Sequence, residues 1–85
     1  MAKFNVSFKK SALKQLRTFP KQIQGKILNS IERYLPDSAQ IPDGKHIKKL
    51  TEGYRLRVGA YRVFYYIEAE SVIITSVVRR TSTTY

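Results

Sequence analysis

The sequence contains no cysteine and a single histidine. The first absence removes disulfide frameworks, zinc ribbons and thiol nucleophiles, and nothing then points to an oxidising compartment, so a cytoplasmic location is expected. The second removes the histidine pair of a metal-free ribonuclease, and His46, between a loop and a strand, is expected at the surface. Only six acidic residues occur, and they are scattered, so neither a metal site nor a cofactor is expected. The four glycines are not grouped into a phosphate-cradling loop, which argues against ATP. No segment approaches the roughly 18 consecutive apolar residues that span a bilayer, and Met1 to Lys10 lacks the apolar stretch of a signal peptide. A soluble protein with no membrane partner is the expectation.

Positive charge is abundant. Sixteen Lys and Arg against six Asp and Glu give a net charge of +10 on 85 residues. With 42% hydrophobic and 12% aromatic residues the chain can still bury a modest core, so one small domain over residues 1–85 is expected and a second has no room. Such a field calls for an anionic partner. Nucleic acid is the first candidate and an acidic protein the second. A membrane surface comes third, because no helix is basic on one face and strongly apolar on the other. The cations are sorted along the chain: lysine dominates the first half, and every cation after Lys49 is an arginine.

Hydrophobic periodicity supplies the elements. Phe4 to Phe8 alternates apolar and polar, as a short strand does. Ala12, Leu13, Leu16 and Phe19 fall at helical spacing until Pro20, and Ile23, Ile27, Leu28, Ile31, Tyr34 and Leu35 form an apolar stripe that Pro36-Asp37 is expected to stop. After a loop over residues 37–45, strands are expected at His46–Leu50, Tyr54–Val58, Tyr61–Glu68 and Val72–Arg79. The class is therefore α+β, with an N-terminal strand and a helical hairpin packed on one face of a four- to five-stranded, mainly antiparallel, twisted sheet.

The stretch Tyr54 to Tyr65 is the most informative. Gly59-Ala60 between two alternating segments suggests a two-residue turn with glycine first, which pairs Val58 with Tyr61, Leu56 with Val63, Arg57 with Arg62 and Arg55 with Phe64. One face of the hairpin is then apolar, while the other gathers Arg55, Arg57, Arg62, Phe64 and Tyr66. A turn at Ala69-Glu70 pairs Ile67 with Val72 and puts Ile73, Thr75, Val77 and Arg79 on the arginine face; a three-residue loop would reverse that assignment. Two arginines directly opposite each other cost stability, about 0.2–1 kcal/mol. Guanidinium groups beside exposed rings suit a phosphodiester with splayed bases. RNA carries its own nucleophile, the 2′-OH, so a cleaving protein need only orient it, stabilise charge on the phosphate and assist proton transfer. Arginines serve the charge but are poor bases, so the proton work falls to a group such as Tyr85 or to something outside the protein.

Lys49-Leu50, Gly53-Tyr-Arg-Leu-Arg-Val-Gly59, Tyr61-Arg62-Val63 with Tyr65 following, and Val78-Arg79-Arg80 leading to Tyr85 resemble the RelE/ParE toxin superfamily over essentially the whole chain. The resemblance implies the RelE-like microbial RNase fold and a type II toxin neutralised by a cognate antitoxin with an acidic toxin-binding tail. Within the superfamily, RelE-like toxins cut messenger RNA in the ribosomal A site and ParE-like toxins poison DNA gyrase. The late arginine and tyrosine favour the RelE-like branch, a metal-independent endoribonuclease with ribosome and messenger RNA as partners. Carried over by position, the resemblance implies catalytic roles for Arg55, Arg57, Arg62, Arg79 and Tyr85, with Arg80 as the alternative to Arg79. Lys48, Lys49, Phe64, Tyr66 and Arg80 would contact RNA, and Lys9, Lys10, Lys14, Lys21 and Lys26 would dock ribosomal RNA. Relatives often have lysine where Arg55 and Arg57 stand and an acid where Ala60 stands. The general base is therefore open, and Lys48 or Lys49 could supply it only if their strand lies close.

Overall fold

The computed structural model describes residues 4–42 and 45–79. In chain order the elements are β1 (Asn5–Phe8), α1 (Lys10–Arg17), α2 (Lys21–Ser38), β2 (Ile47–Leu50), β3 (Gly53–Val58), β4 (Tyr61–Glu68) and β5 (Ser71–Arg79). The strands form one sheet in the order β1-β5-β4-β3-β2. Every pairing is antiparallel except β1 with β5. This is the expected α+β layering.

Ala12 and Leu16 of α1 and Ile27, Ile31 and Leu35 of α2 are buried with Ile47, Leu56, Val58, Val63, Tyr65, Val72, Ile74 and Val77 of the sheet. Fully burying each of the larger aliphatic side chains is worth about 1.5–3 kcal/mol, and all of them lie between the helical hairpin and one sheet face. Tyr65 joins this core without stranding its hydroxyl, which donates to the Ala39 carbonyl at 2.9 Å. Its ring stacks on Tyr54 across the strand pair at 5.5 Å.

Two expectations about the chain's punctuation need correcting. Pro36 does not stop α2, which runs on to Ser38 with the proline inside it. A proline so near the end forfeits few hydrogen bonds, and the turn is held because Leu35 and Ala39 are both fully buried. The Pro36 carbonyl also accepts a hydrogen bond from the Phe4 N–H at 2.9 Å, which ties the end of α2 to the start of β1.

The second correction concerns β5. Ile67 pairs with Val72 as expected, but a bulge interrupts the β4–β5 ladder: Tyr65 lies opposite Ile74, while Phe64 lies opposite Ser76. Thr75 is the extra residue, and beyond it the parity of β5 is reversed. Val77 is therefore buried opposite Val63, and Arg79 lies opposite Tyr61 on the helix side; neither is on the arginine face, where Ile73 remains. Two side chains satisfy the bulge. The Thr75 hydroxyl donates to the Phe64 carbonyl at 3.2 Å, and the Val77 N–H donates to the Gln15 side-chain oxygen at 2.8 Å, reaching across from α1.

Candidate functional site

The β3–β4 hairpin sets the site. Gly59 adopts φ +58°, the left-handed geometry that a two-residue turn with glycine first demands. The register that follows is the expected one, with Arg57 opposite Arg62, Arg55 opposite Phe64 and Leu56 opposite Val63. Leu56 and Val63 are fully buried beneath the helices, so the alternate residues project from the other face, which no helix covers. There Arg57 is exposed, and Arg55, Arg62, Phe64 and Tyr66 are half-buried.

The edge strand β2 extends this surface. Lys48 lies opposite Arg55 and so shares the open face, whereas Lys49 lies opposite Tyr54 and belongs to the helix side. Of the two lysines, only Lys48 joins the arginines by register. Gly53, where β3 begins, has φ +115°, and a Cβ there would meet the Tyr65 carbonyl oxygen at 2.5 Å. The close approach of β3 to β4 at that point requires glycine.

The lysines assigned to docking do not form one group. Lys10 and Lys14 line a shallow hollow on α1 with Leu13 and Arg17, and Lys21 is exposed at the start of α2. Lys26 reaches the hairpin turn, its Nζ 3.7 Å from where a Cβ on Gly59 would lie. That places it at the end of the sheet where Arg57 and Arg62 meet. Lys9 is not helical; it follows β1, and its Nζ lies 5.7 Å from the centre of the Tyr66 ring on the open face. Sequence reading missed this contact, which is set by the parallel β1–β5 pairing rather than by local pattern.

Cations gather on the open face. Arg55, Arg57, Arg62 and Lys48 cluster at one end, and the only carboxylate in the five strands is Glu68, six residues along β4 from Arg62 or roughly 20 Å away. Planar guanidinium groups in this setting can clamp an anionic phosphate bidentately, and the half-buried rings offer stacking surface. Among the described residues no cluster of three His, Cys, Asp or Glu could hold a metal ion. Arg80 and Tyr85 lie outside the described residues.

No helix among the described residues is long and apolar enough to cross a membrane. No curated protein sequence matches the chain. Among solved structures, it is similar to a RelBE toxin–antitoxin complex from Mycobacterium tuberculosis, with TM-score 0.77, 23% identity and coverage of 92% of this chain and 99% of that one. It also resembles the RelB–RelE antitoxin–toxin complex from Methanococcus jannaschii, with TM-score 0.65, 30% identity and coverage of 85% and 87% respectively. For the archaeal RelE–RelB complex from Pyrococcus horikoshii the values are 0.68, 28%, 94% and 98%. The family model of the ParE toxin of the type II toxin–antitoxin system parDE matches residues 6–85. With that match across nearly its whole length and with RelE-like folds as its structural neighbours, the chain belongs to the RelE/ParE superfamily of type II toxins.

Proposed function

We propose that this toxin is a ribosome-dependent endoribonuclease that cleaves messenger RNA in the A site, and that a cognate antitoxin with an acidic tail neutralises it. The observation that carries the reading is the pairing of Arg57 with Arg62 on the uncovered face, beside Arg55 and Lys48. Fold stability gives no reason for that juxtaposition, whereas a bound phosphodiester does. The antitoxin assignment is supported by RelE-like neighbours that are toxin–antitoxin complexes.

In this mechanism Arg55, Arg57 and Arg62 hold the scissile phosphate. As the 2′-hydroxyl gives up its proton to a group such as Tyr85 or to one outside the protein, the 2′-oxygen attacks phosphorus, the bond from phosphorus to the 5′-oxygen breaks, and a 2′,3′-cyclic phosphate forms. The guanidinium groups stabilise charge that grows on the non-bridging oxygens. Lys48, which lies opposite Arg55, is assigned to give a proton to the departing 5′-oxygen. The bulge at Thr75 turns Arg79 to the other side of the sheet, so the transition-state role is assigned to the alternative arginine, Arg80. Tyr85 is assigned to stack on a base or move a proton.

The second reading is a gyrase inhibitor without nuclease activity, favoured by the family model, which is that of ParE toxins. Mapping messenger RNA 5′ ends by primer extension after brief induction separates the two. Cuts within translated frames that vanish in Arg62→Ala and Arg80→Ala are expected; intact transcripts with DNA breaks and an SOS response would sink the nuclease reading.

A further inference from the structure

Lys9 and Tyr66 sit on the open face but away from the arginine cluster. Tyr66 lies four residues along β4 from Arg62, or roughly 13 Å. Opposite Tyr66 on β5 is Ile73, and opposite Ile73 on β1 is Ser7, so these three share one row of the sheet. Lys9 lies two residues beyond Ser7. The Lys9 N–H donates to the Ile74 carbonyl at 2.9 Å, which extends the ladder and anchors the residue. Its ammonium comes within 5.7 Å of the Tyr66 ring centre.

The direction of this offset matters. Because β1 runs parallel to β5 and β5 antiparallel to β4, moving from Ser7 to Lys9 moves from Tyr66 toward Phe64 and the arginines. Along β4 the order is thus Arg62, Phe64 with Lys9 alongside, Tyr66, and finally Glu68, whose carboxylate ends the cationic tract.

From this we infer that Lys9 and Tyr66 form a nucleotide subsite for single-stranded RNA flanking the cut, with a base stacked on the Tyr66 ring and its phosphate on the Lys9 ammonium. The subsite rests on the reading of the open face as an RNA interface. It moves Lys9 from ribosome docking to the substrate strand. An exposed cation above a ring is weakly held, whereas an ammonium on a phosphate is a charge-assisted pair. RNA binding therefore exchanges the weaker contact for the stronger one and frees the ring for a base. An acidic peptide could satisfy Lys9 but would make no comparable use of a half-buried ring among Ile73 and Ser7.

The test uses the full chain carrying Arg62→Ala, so that substrate is not consumed, and a fluorescently labelled single-stranded RNA oligonucleotide of mixed sequence read by anisotropy. Tyr66→Ala should weaken binding about tenfold and Tyr66→Phe should restore it, since stacking is sequence-tolerant and needs only the ring. Lys9→Gln should reduce the slope of log affinity against log salt by about 0.7, the loss of one phosphate contact. Unchanged oligonucleotide affinity in Tyr66→Ala, with thermal melting showing a folded protein, overturns the subsite; so does a failure of Tyr66→Phe to restore it. Cleavage by the otherwise wild-type protein is scored separately. Loss of oligonucleotide binding in Tyr66→Ala without any cleavage by wild type would retain the subsite and discard the nuclease.

Discussion

Replacing Arg62 by glutamine takes one positive charge from directly opposite Arg57 and keeps part of the aliphatic stem that half-buries Arg62. Side chains opposite each other in an antiparallel pair have Cβ atoms about 5 Å apart, and two unit charges at that distance in water repel by about 0.8 kcal/mol. Measured cross-strand repulsions span about 0.2–1 kcal/mol, so this is the expected gain in stability. For a domain of this size it raises Tm by roughly 1–8 °C. Arg57→Gln should give a similar gain, and the double variant little more than either single one, because each alone removes the repulsion. The assay is thermal unfolding of all four proteins in low salt and at about 1 M salt, where the screening length falls to about 3 Å and the differences should collapse. A lower Tm for Arg62→Gln at low salt, or a gain that survives high salt, would refute the argument that charge opposition strains this pair. On the nuclease reading the same substitutions should also abolish toxicity.

Further expectations concern the backbone. Gln15→Ala removes the partner of the Val77 N–H at the bulge and should cost about 1–3 kcal/mol by denaturant unfolding; a cost near zero would mean that water replaces the amide. Gly53→Ala should be among the most damaging single changes, since φ +115° and the Tyr65 carbonyl both oppose a Cβ. Ala69 is the reverse case, an alanine at φ +55°, and Ala69→Gly should stabilise by roughly 0.5–1 kcal/mol in the same assay.

The parts of the fold legible in the sequence were those governed by local rules. Gly59-Ala60 specifies a two-residue turn, and that turn alone puts Arg57 against Arg62. The apolar residues at helical spacing mark both helices. What escaped was set by contacts distant in sequence. Thr75-Ser76 inside an otherwise apolar strand was the available sign of a break in alternation, but the contact that caps the bulge comes from Gln15 of α1, distant in sequence. Without it, Arg79 was read onto the wrong face. Pro36 misled because the burial of Leu35 and Ala39, a tertiary effect, keeps the final turn helical. Lys9 looked like the start of a basic helix, and only the β1–β5 pairing reveals that it serves the sheet.

That pairing also bears on when the open face is complete. β1 is made first of the five strands and β5 last, yet they are hydrogen-bonded neighbours, and α1 packs on β5 as well. The β1–β5 ladder therefore closes a long loop, which is slow compared with forming local contacts such as the β3–β4 hairpin. Until β5 is in place, Lys9 has no strand to hold it beside Tyr66. Completion of the open face thus waits on β5, the strand that joins β1 to the rest of the sheet.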